Sequence, residues 1–132
     1  MKKKFSDKWK GSRQPRKQRK YRANAPFSIR KKMLVSNLSK DLRDKYKRRS
    51  FPLRKNDLVK VMRGEFKGKK GKVILIDLSR LKVAIEGLQR TKKEGTKVNV
   101  MFDPSVLQIQ ELDLDDKKRI KSIENKIKEE KK

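Results

Sequence analysis

The positive charge of this 132-residue chain is concentrated in its first 56 residues. They carry 22 lysines and arginines and only three acids, whereas the rest of the chain carries 20 basic and 13 acidic side chains. Charge of one sign at this density repels itself and opposes a compact free state. Aliphatic residues are also sparse there, so little apolar surface is available to offset chain entropy. We therefore predict that residues 1–56 form an extended basic N-terminal arm, mostly disordered until an anionic partner orders it.

Short helices are expected within this arm. Pro15 and Pro26 each suit the first turn of a helix, and Ser39 is a candidate N-cap. The predicted helices span residues 16–22, 27–34 and 40–47. None of them buries enough apolar surface to be stable alone, so a partner must contribute to their order.

Residues 57–112 follow a strand pattern instead. Their short apolar runs cover 58–62, 71–76, 81–86, 98–102 and 107–110, with turn signals at 63–68, 77–80, 87–95 and 103–104. The run from Gly71 to Ile76 is continuous, which is typical of a strand covered on both faces. Five short strands at this spacing predict a mainly β domain, a small antiparallel barrel.

Residues 113–132 form a charged C-terminal segment with a helical pattern. Three acids open it and three isoleucines make a narrow apolar stripe: Asp113, Asp115, Asp116, Ile120, Ile123 and Ile127. Such a helix either docks one edge on a neighbouring molecule or frays in solvent. Contact between its lysines and RNA is the alternative.

The chain has neither cysteine nor histidine. Thiolate zinc sites, disulfides and histidine-based catalysis are therefore excluded. Because no cluster of carboxylates lies in an apolar context, we predict no enzymatic activity, no cofactor, no metal and no small-molecule substrate. No apolar run reaches the roughly 18 residues that span a bilayer, so we expect a soluble, cytoplasmic protein without a membrane partner.

A glycine- and lysine-rich loop joins the first two predicted strands. Gly64, Gly68 and Gly71 admit positive φ and allow backbone amides to approach a phosphate closely. The surrounding cations are Arg63, Lys67, Lys69, Lys70 and Lys72. This pattern predicts a loop that recognises the shape and charge of a folded RNA backbone. A hairpin with a glycine bulge and solvated lysines is the alternative.

The stretch from Asp57 to Asp77 resembles the KOW motif of ribosomal proteins and of transcription elongation factors of the Spt5/NusG type. The motif usually begins with Gly-Asp. Here Asn56 precedes Asp57, and asparagine tolerates the left-handed conformation that glycine would supply. Flanking segments extend the resemblance over about residues 12–116 to the family of large-subunit ribosomal protein twenty-four, in its archaeal and eukaryotic form. These segments are 14–26, 38–46, 48–55 and 90–95.

This resemblance implies an SH3-like barrel that binds large-subunit rRNA near its 5′ end. It also implies a role in initiating subunit assembly, a position near the polypeptide exit tunnel, and neighbouring ribosomal proteins as partners without homo-oligomerisation. Together with the clustering of basic residues, it predicts rRNA contacts at Arg16, Lys17, Arg19, Lys20, Tyr21, Arg22, Arg30, Lys31, Lys32, Arg48, Arg49, Arg54, Lys55, Arg63, Gly64, Lys67, Gly68, Lys69, Lys70, Gly71, Lys72, Arg90, Lys92 and Lys93.

Several alternatives remain open from sequence. A KOW-type transcription elongation or antitermination factor would carry an α/β domain before its barrel, where we find only the basic arm. A membrane-surface polycation would need a helix with a wide apolar face. Tyr21 either stacks on an unpaired base or packs on its own helix, and for Trp9 packing, stacking and disorder are indistinguishable. The run 16–22 also fits a nuclear localisation signal.

Overall fold

The computed structural model describes residues 3–130, and the remaining residues of the predicted terminal segments lie outside it. The described chain is mainly β. Its helices are α1 (Pro15–Asn24), α2 (Phe27–Met33), α3 (Lys40–Tyr46) and α4 (Lys117–Glu130), with short 3-10 helices at Asp7–Gly11 and Pro104–Val106. Its strands are β1 (Val35–Leu38), β2 (Ser50–Pro52), β3 (Leu58–Val61), β4 (Lys70–Asp77), β5 (Lys82–Thr91), β6 (Lys97–Phe102) and β7 (Leu107–Glu111). The five predicted strands correspond to β3 through β7.

The predicted helices of the arm are confirmed by local geometry. Pro15 occupies the first position of α1, and Pro26 immediately precedes α2. The Leu42 amide N–H donates a hydrogen bond of 3.4 Å to the Ser39 hydroxyl, which caps α3 as expected. The sequence signals for helix starts were therefore sufficient here.

The strands form one sheet in the order β2-β1-β7-β3-β4-β5-β6. Strands β3 to β7 pair antiparallel with one another, as predicted. β1 pairs parallel with β7, where Asn37 and Leu38 lie opposite Gln108 and Ile109. The sheet is therefore mixed, and the expected barrel closure is not confirmed. A physical reason is that β1 covers the edge of β7, so that edge does not pair with β6.

The predicted turn over 87–95 is wrong in its first part, residues 87–91. β5 continues through this region to Thr91, and its register with β6 shifts between Ala84 and Gln89. Gly87, with φ +76°, lies inside this irregularity. Its positive φ therefore serves a bulge within a long strand rather than a chain reversal. The reversal follows it, where the Lys92 N–H donates to the Thr96 carbonyl at 2.8 Å.

The prediction that β4 is covered on both faces is also wrong. Val73 is fully buried, but Ile74 and Leu75 are 41% and 47% exposed. The pairing of β4 with β5 shifts register between Val73 and Leu75, which interrupts the regular alternation of side chains. The continuous apolar run thus has one buried and one open face.

The buried core draws on both halves of the chain. It contains Leu34, Leu38, Tyr46, Phe51, Leu53, Val59, Val61, Phe66, Val73, Val83, Ile85, Leu88, Phe102, Leu107, Ile109 and Ile123. Because β1 and β2 belong to the same sheet as the KOW-like segment, this core crosses the predicted segment boundary at residue 56. Of the described residues, 3–33 contribute none of its members. Only this first part of the arm lies outside the core.

Helix α4 packs against the protein's own core. Ile123 is 4% exposed, and Ile127 also contacts the core, while Ile120 is half-buried. The helix starts after Asp116, whose carboxylate accepts a 2.8 Å hydrogen bond from the Lys118 N–H. The predicted isoleucine stripe is thus confirmed, but it docks on this chain instead of a neighbouring molecule.

Candidate nucleic-acid interface

The loop between β3 and β4 has the predicted glycine geometry at two of three positions. Gly64 and Gly68 have φ values of +91° and +87°. The positive φ expected for Gly71 is not found. Instead, a Cβ at Gly71 would lie 2.6 Å from the Ile85 Cγ2 atom and 2.8 Å from the Glu86 carbonyl oxygen. Gly71 is needed for the close approach of β4 and β5.

Several amides of this loop are used within the protein. The N–H groups of Lys67 and Lys69 donate to the carbonyls of Gly64 and Phe66, both at 3.1 Å. The Gly68 N–H donates to the Val61 carbonyl at 2.8 Å. These hydrogen bonds rigidify the loop, but they also remove three of the amides that we expected to meet a phosphate. The cationic side chains are the outward-facing groups.

Phe66 anchors the loop to the sheet. It is 8% exposed, and its ring packs edge-on against Phe102 with 5.8 Å between the centroids. The Lys69 ammonium lies 5.1 Å and the Arg90 guanidinium carbon 5.9 Å from the centre of the Phe66 ring. Arg90 also forms an ion pair with Glu65. Sequence reasoning assigned no role to Phe66, although it is the loop's sole aromatic residue.

Arg90 thereby joins the loop to the end of β5 and the turn that follows. We call this group the loop cluster, and its exposed cations are Arg63, Lys67, Lys69, Lys70, Lys72, Arg90, Lys92 and Lys93. The structure brings together two of the predicted contact regions that are separated in sequence. A rigid scaffold presents them on one end of the sheet.

A second group lies on the arm. Five exposed cations on α1 and two on α2 make up this arm cluster: Arg16, Lys17, Arg19, Lys20, Arg22, Lys31 and Lys32. Tyr21 is half-buried and packs on Phe5, with 5.0 Å between the ring centroids. Tyr21 therefore packs on a residue outside its own helix, and its stacking on a base stays a prediction.

Arg30 fixes the position of the arm cluster. Its Nε donates to the Ala25 carbonyl at 2.9 Å, and its Nη1 donates to the Ser79 carbonyl at 3.1 Å. These bonds tie the α1–α2 junction to the turn between β4 and β5. That turn and the loop cluster lie at opposite ends of β4. Eight strand residues separate the two clusters by roughly 25 Å.

The predicted contacts of the 48–55 link fall into two kinds. Arg48 lies over the Phe51 ring at 4.9 Å and donates to the Ser122 hydroxyl at 3.2 Å. Arg54 forms an ion pair with Asp116. The hydrogen bond from Arg54, reinforced by the Lys118 amide, lowers the pKa of the Asp116 carboxyl. Arg48 and Arg54 thus have protein partners, whereas the neighbouring Arg49 and Lys55 are exposed.

Sequence reasoning missed a buried ion pair. Asp57 and Arg119 are 0% and 3% exposed. The Arg119 Nη1 and Nη2 donate to the two Asp57 carboxylate oxygens at 2.6 and 2.7 Å. Those oxygens also accept hydrogen bonds from the amides of Arg54, at 2.8 Å, and Asp113, at 2.9 Å. The sequence does single out Arg119, because it is the one arginine in the otherwise lysine-rich segment 113–132.

The start of the KOW-like stretch behaves as expected from its resemblance. Asn56 has φ +68°, the left-handed conformation that the usual glycine would adopt. Asp57, the position next to it, accepts the four hydrogen bonds just described. The Gly-Asp pair of the motif, here Asn56-Asp57, therefore turns the chain into β3 and fixes it to α4.

Two further classes of site are missing from residues 3–130. No group of three or more acidic side chains is placed there to hold a metal ion. Within the same residues, no helix has the length and apolar character needed to cross a bilayer.

Comparison with known protein families gives a match over residues 12–126, which is most of the chain. The matched family comprises the ribosomal proteins called L26 in eukaryotes and L24 in archaea. The match includes the KOW-like stretch, both cationic clusters and Arg119. The chain therefore belongs to this family of ribosomal proteins, whose role in the large subunit is structural.

Proposed function

We propose that this protein binds large-subunit rRNA in the 5′ region, helps to initiate subunit assembly and lies near the polypeptide exit tunnel. The observation that carries the proposal is the pair of exposed cationic clusters held apart by β4. As a single copy, the protein would contact rRNA at both clusters and neighbouring ribosomal proteins elsewhere. A transcription elongation role is not favoured, since the family match covers the arm as well as the KOW-like stretch.

The loop cluster suits a folded RNA backbone. Its internal hydrogen bonds and the buried Phe66 fix the loop before RNA arrives, so little ordering entropy opposes binding. Its lysines supply point charges, while Arg63 and Arg90 can each grip a phosphate with two parallel hydrogen bonds. Because these contacts reach phosphates, they position the protein without reading base sequence directly.

The arm cluster works differently, because α1 and α2 lie outside the buried core. The cations of α1 repel one another in the free chain, and few contacts, among them the hydrogen bond from Arg30 to the Ser79 carbonyl, hold this segment on the sheet. Phosphates that neutralise the charge remove this repulsion and stabilise the arm. Binding at this cluster is therefore coupled to ordering, whereas binding at the loop cluster is not.

The proposal is tested by measuring the affinity of the full chain for the 5′ region of large-subunit rRNA at several salt concentrations. If about ten phosphates are neutralised, affinity falls by some 10³- to 10⁵-fold between 50 and 200 mM salt, with the duplex-DNA slope as a proxy. The matched control is small-subunit rRNA of equal length. A flat salt response, or equal affinity for the control RNA, contradicts the proposal.

The assembly role needs a second measurement in cells. Depletion of the protein should lower the amount of mature large subunit on a sucrose gradient and leave the small subunit unaffected at first. The protein itself should sediment with the large subunit through a moderate salt wash. Sedimentation with RNA polymerase instead would favour the transcription alternative.

A further inference from the structure

The first residues of the described chain fold back along α1. The Asn24 side-chain amide donates to the Lys4 carbonyl at 3.4 Å, and the Gln18 side-chain amide donates to the Ser12 carbonyl at 3.0 Å. Phe5 packs on Tyr21 in the same region. The 3-10 helix Asp7–Gly11 is therefore held against one face of α1.

This arrangement encloses an open groove of about 410 Å³. Its lining residues are Lys8, Trp9, Ser12, Lys17, Lys20 and Tyr21. Lys17, Lys20 and Tyr21 are spaced three and four residues apart and so share one face of α1. The groove has aromatic surfaces from Trp9 and Tyr21 and three ammonium groups beside them.

Trp9 is left open in this groove. It is 44% exposed, and no residue of its 3-10 helix is buried. An indole contributes most to stability when its large apolar surface leaves water, and here the fold does not supply that burial. Tyr21, by contrast, is held in place by Phe5. In this groove the Tyr21 ring is thus fixed by a contact within the protein, whereas the Trp9 ring is partly exposed to solvent.

We propose that this groove binds an unpaired nucleotide of single-stranded RNA. The base stacks on the Trp9 indole, and its flanking phosphates lie against Lys8, Lys17 and Lys20. Stacking platforms beside a positive groove are the usual means of holding single strands, and they tolerate any base because every base has an aromatic face. A paired base cannot enter, since its faces are covered by its neighbours in the duplex.

The inference deepens the proposed function: it rests on rRNA binding and adds a specific ligand for one part of the arm. The loop cluster would bind the folded RNA backbone, as proposed above. The Trp9 groove would bind a looped-out or bulged nucleotide. The arm would then prefer unpaired over paired RNA, a preference that phosphate contacts alone cannot provide.

The test uses the fluorescence of Trp9, the protein's single tryptophan. The full chain is titrated with an eight-residue oligouridylate and with an RNA duplex of the same length. Stacking should quench the Trp9 emission with the single strand only. Equal quenching by the duplex, or no quenching by the single strand at saturation, overturns the inference.

Variants give a second readout with a fluorescently labelled oligouridylate. Trp9→Ala should weaken binding about 5- to 10-fold, near the lower end of base-stacking effects because the indole is partly exposed. Trp9→Phe, which keeps an aromatic face, should retain most of the affinity. Phe27→Ala is the matched control, since Phe27 is 63% exposed outside the groove. Unchanged affinity in Trp9→Ala, with an unchanged melting temperature, overturns the inference.

The outcome of the rRNA titration separates this inference from the proposed function. If the chain binds the 5′ region of large-subunit rRNA with the expected salt dependence but Trp9 responds to neither probe, the groove inference fails and the proposed function stands. If neither rRNA nor oligouridylate binds, both fail. A blue shift of Trp9 on vesicles of phosphatidylserine and phosphatidylcholine, without quenching by oligouridylate, would assign the groove to a membrane surface and overturn the inference.

Discussion

The two guanidinium Nη atoms of Arg119 in α4 face the two carboxylate oxygens of Asp57 at the start of β3, in a buried pair joined by parallel hydrogen bonds. Arg119 also donates to the Pro52 carbonyl at 3.0 Å and to the Asp113 carbonyl at 2.8 Å. Its guanidinium carbon lies 5.2 Å from the centre of the Phe51 ring. The pair therefore connects β2, β3 and α4 at one point.

Removal of one partner from this pair should be strongly destabilising. Asp57→Ala leaves the Arg119 charge buried without its counterion and two backbone amides without their acceptor. The expected loss is about 3–5 kcal/mol in the free energy of unfolding. Urea denaturation of the free chain, followed by circular dichroism, measures it.

The double variant Asp57→Ala with Arg119→Met provides the control. Because it removes both charges, its destabilisation should be smaller than the sum of the two single losses. Strict additivity would show that the two side chains do not stabilise the fold as a pair.

Substitution at Gly71 should disturb the pairing of β4 with β5. The added Cβ of Gly71→Val would meet the backbone oxygen of Glu86, which cannot move without breaking the strand alignment. Gly64→Ala is the matched control: it has open space around it and only the strain of a positive φ, about 1–2 kcal/mol. Gly71→Val should therefore lower the melting temperature more than Gly64→Ala does. The reverse order would contradict the close approach described above.

Loss of the α1 arginines should affect binding but not folding. Arg16, Arg19 and Arg22 are exposed and lie outside the core. Their triple replacement by alanine should reduce the salt slope for rRNA by about 2–3 and leave the melting temperature unchanged. Replacing three exposed lysines of α4, Lys118, Lys121 and Lys128, removes the same charge as a control. An equal loss of affinity in that control would favour the view that α4 also contacts RNA.

The ion pair between Arg54 and Asp116 should give a defined pH dependence. The hydrogen bond from Arg54 lowers the pKa of Asp116 below its ordinary value of 3.8, so the unfolded state binds a proton first as the pH falls. The stabilisation is thus fully present above pH 3.8 and is lost below it, as the pH falls through the folded-state pKa. The gap in melting temperature between the wild type and Asp116→Asn should shrink there.

Thermal melts between about pH 5 and pH 2 test this dependence. Asp115→Asn, which changes an exposed carboxylate one residue away, is the matched control. A gap that stays constant or widens in acid would show that Asp116 does not contribute in its charged form.

The sequence was sufficient for elements with strong local signals. The proline and serine starts of α1, α2 and α3, the presence of β3 to β7, and the left-handed Asn56 were all predicted, although β5 is longer and β4 more exposed than expected. Each of these depends on neighbours within a few residues. The information that determines these features therefore lies in short stretches of the sequence.

The remaining features depend on contacts between distant residues. β1 and β2 are short and become strands only because β7 offers β1 a pairing edge. The bulges near Ile74 and Gly87 follow from register against a neighbouring strand. The partners of Arg30 could not be predicted for the same reason, because they are backbone carbonyls up to 49 residues away in sequence. Of the candidate site, the cationic residues were predicted, whereas their division into two clusters was not.

The place of β7 between β1 and β3 has a consequence for the time course of synthesis. Among the strands of residues 3–130, β7 is the last to leave the ribosome that makes this protein, yet it is the strand that joins β1 and β2 to the rest of the sheet. Until residues 107–111 emerge, β1 and β2 have no strand in the rest of the sheet to pair with, and Asp57 lacks its partner Arg119. Long-range pairing of this kind is slow. The nascent arm is thus available to other molecules before its own strands have anywhere to attach.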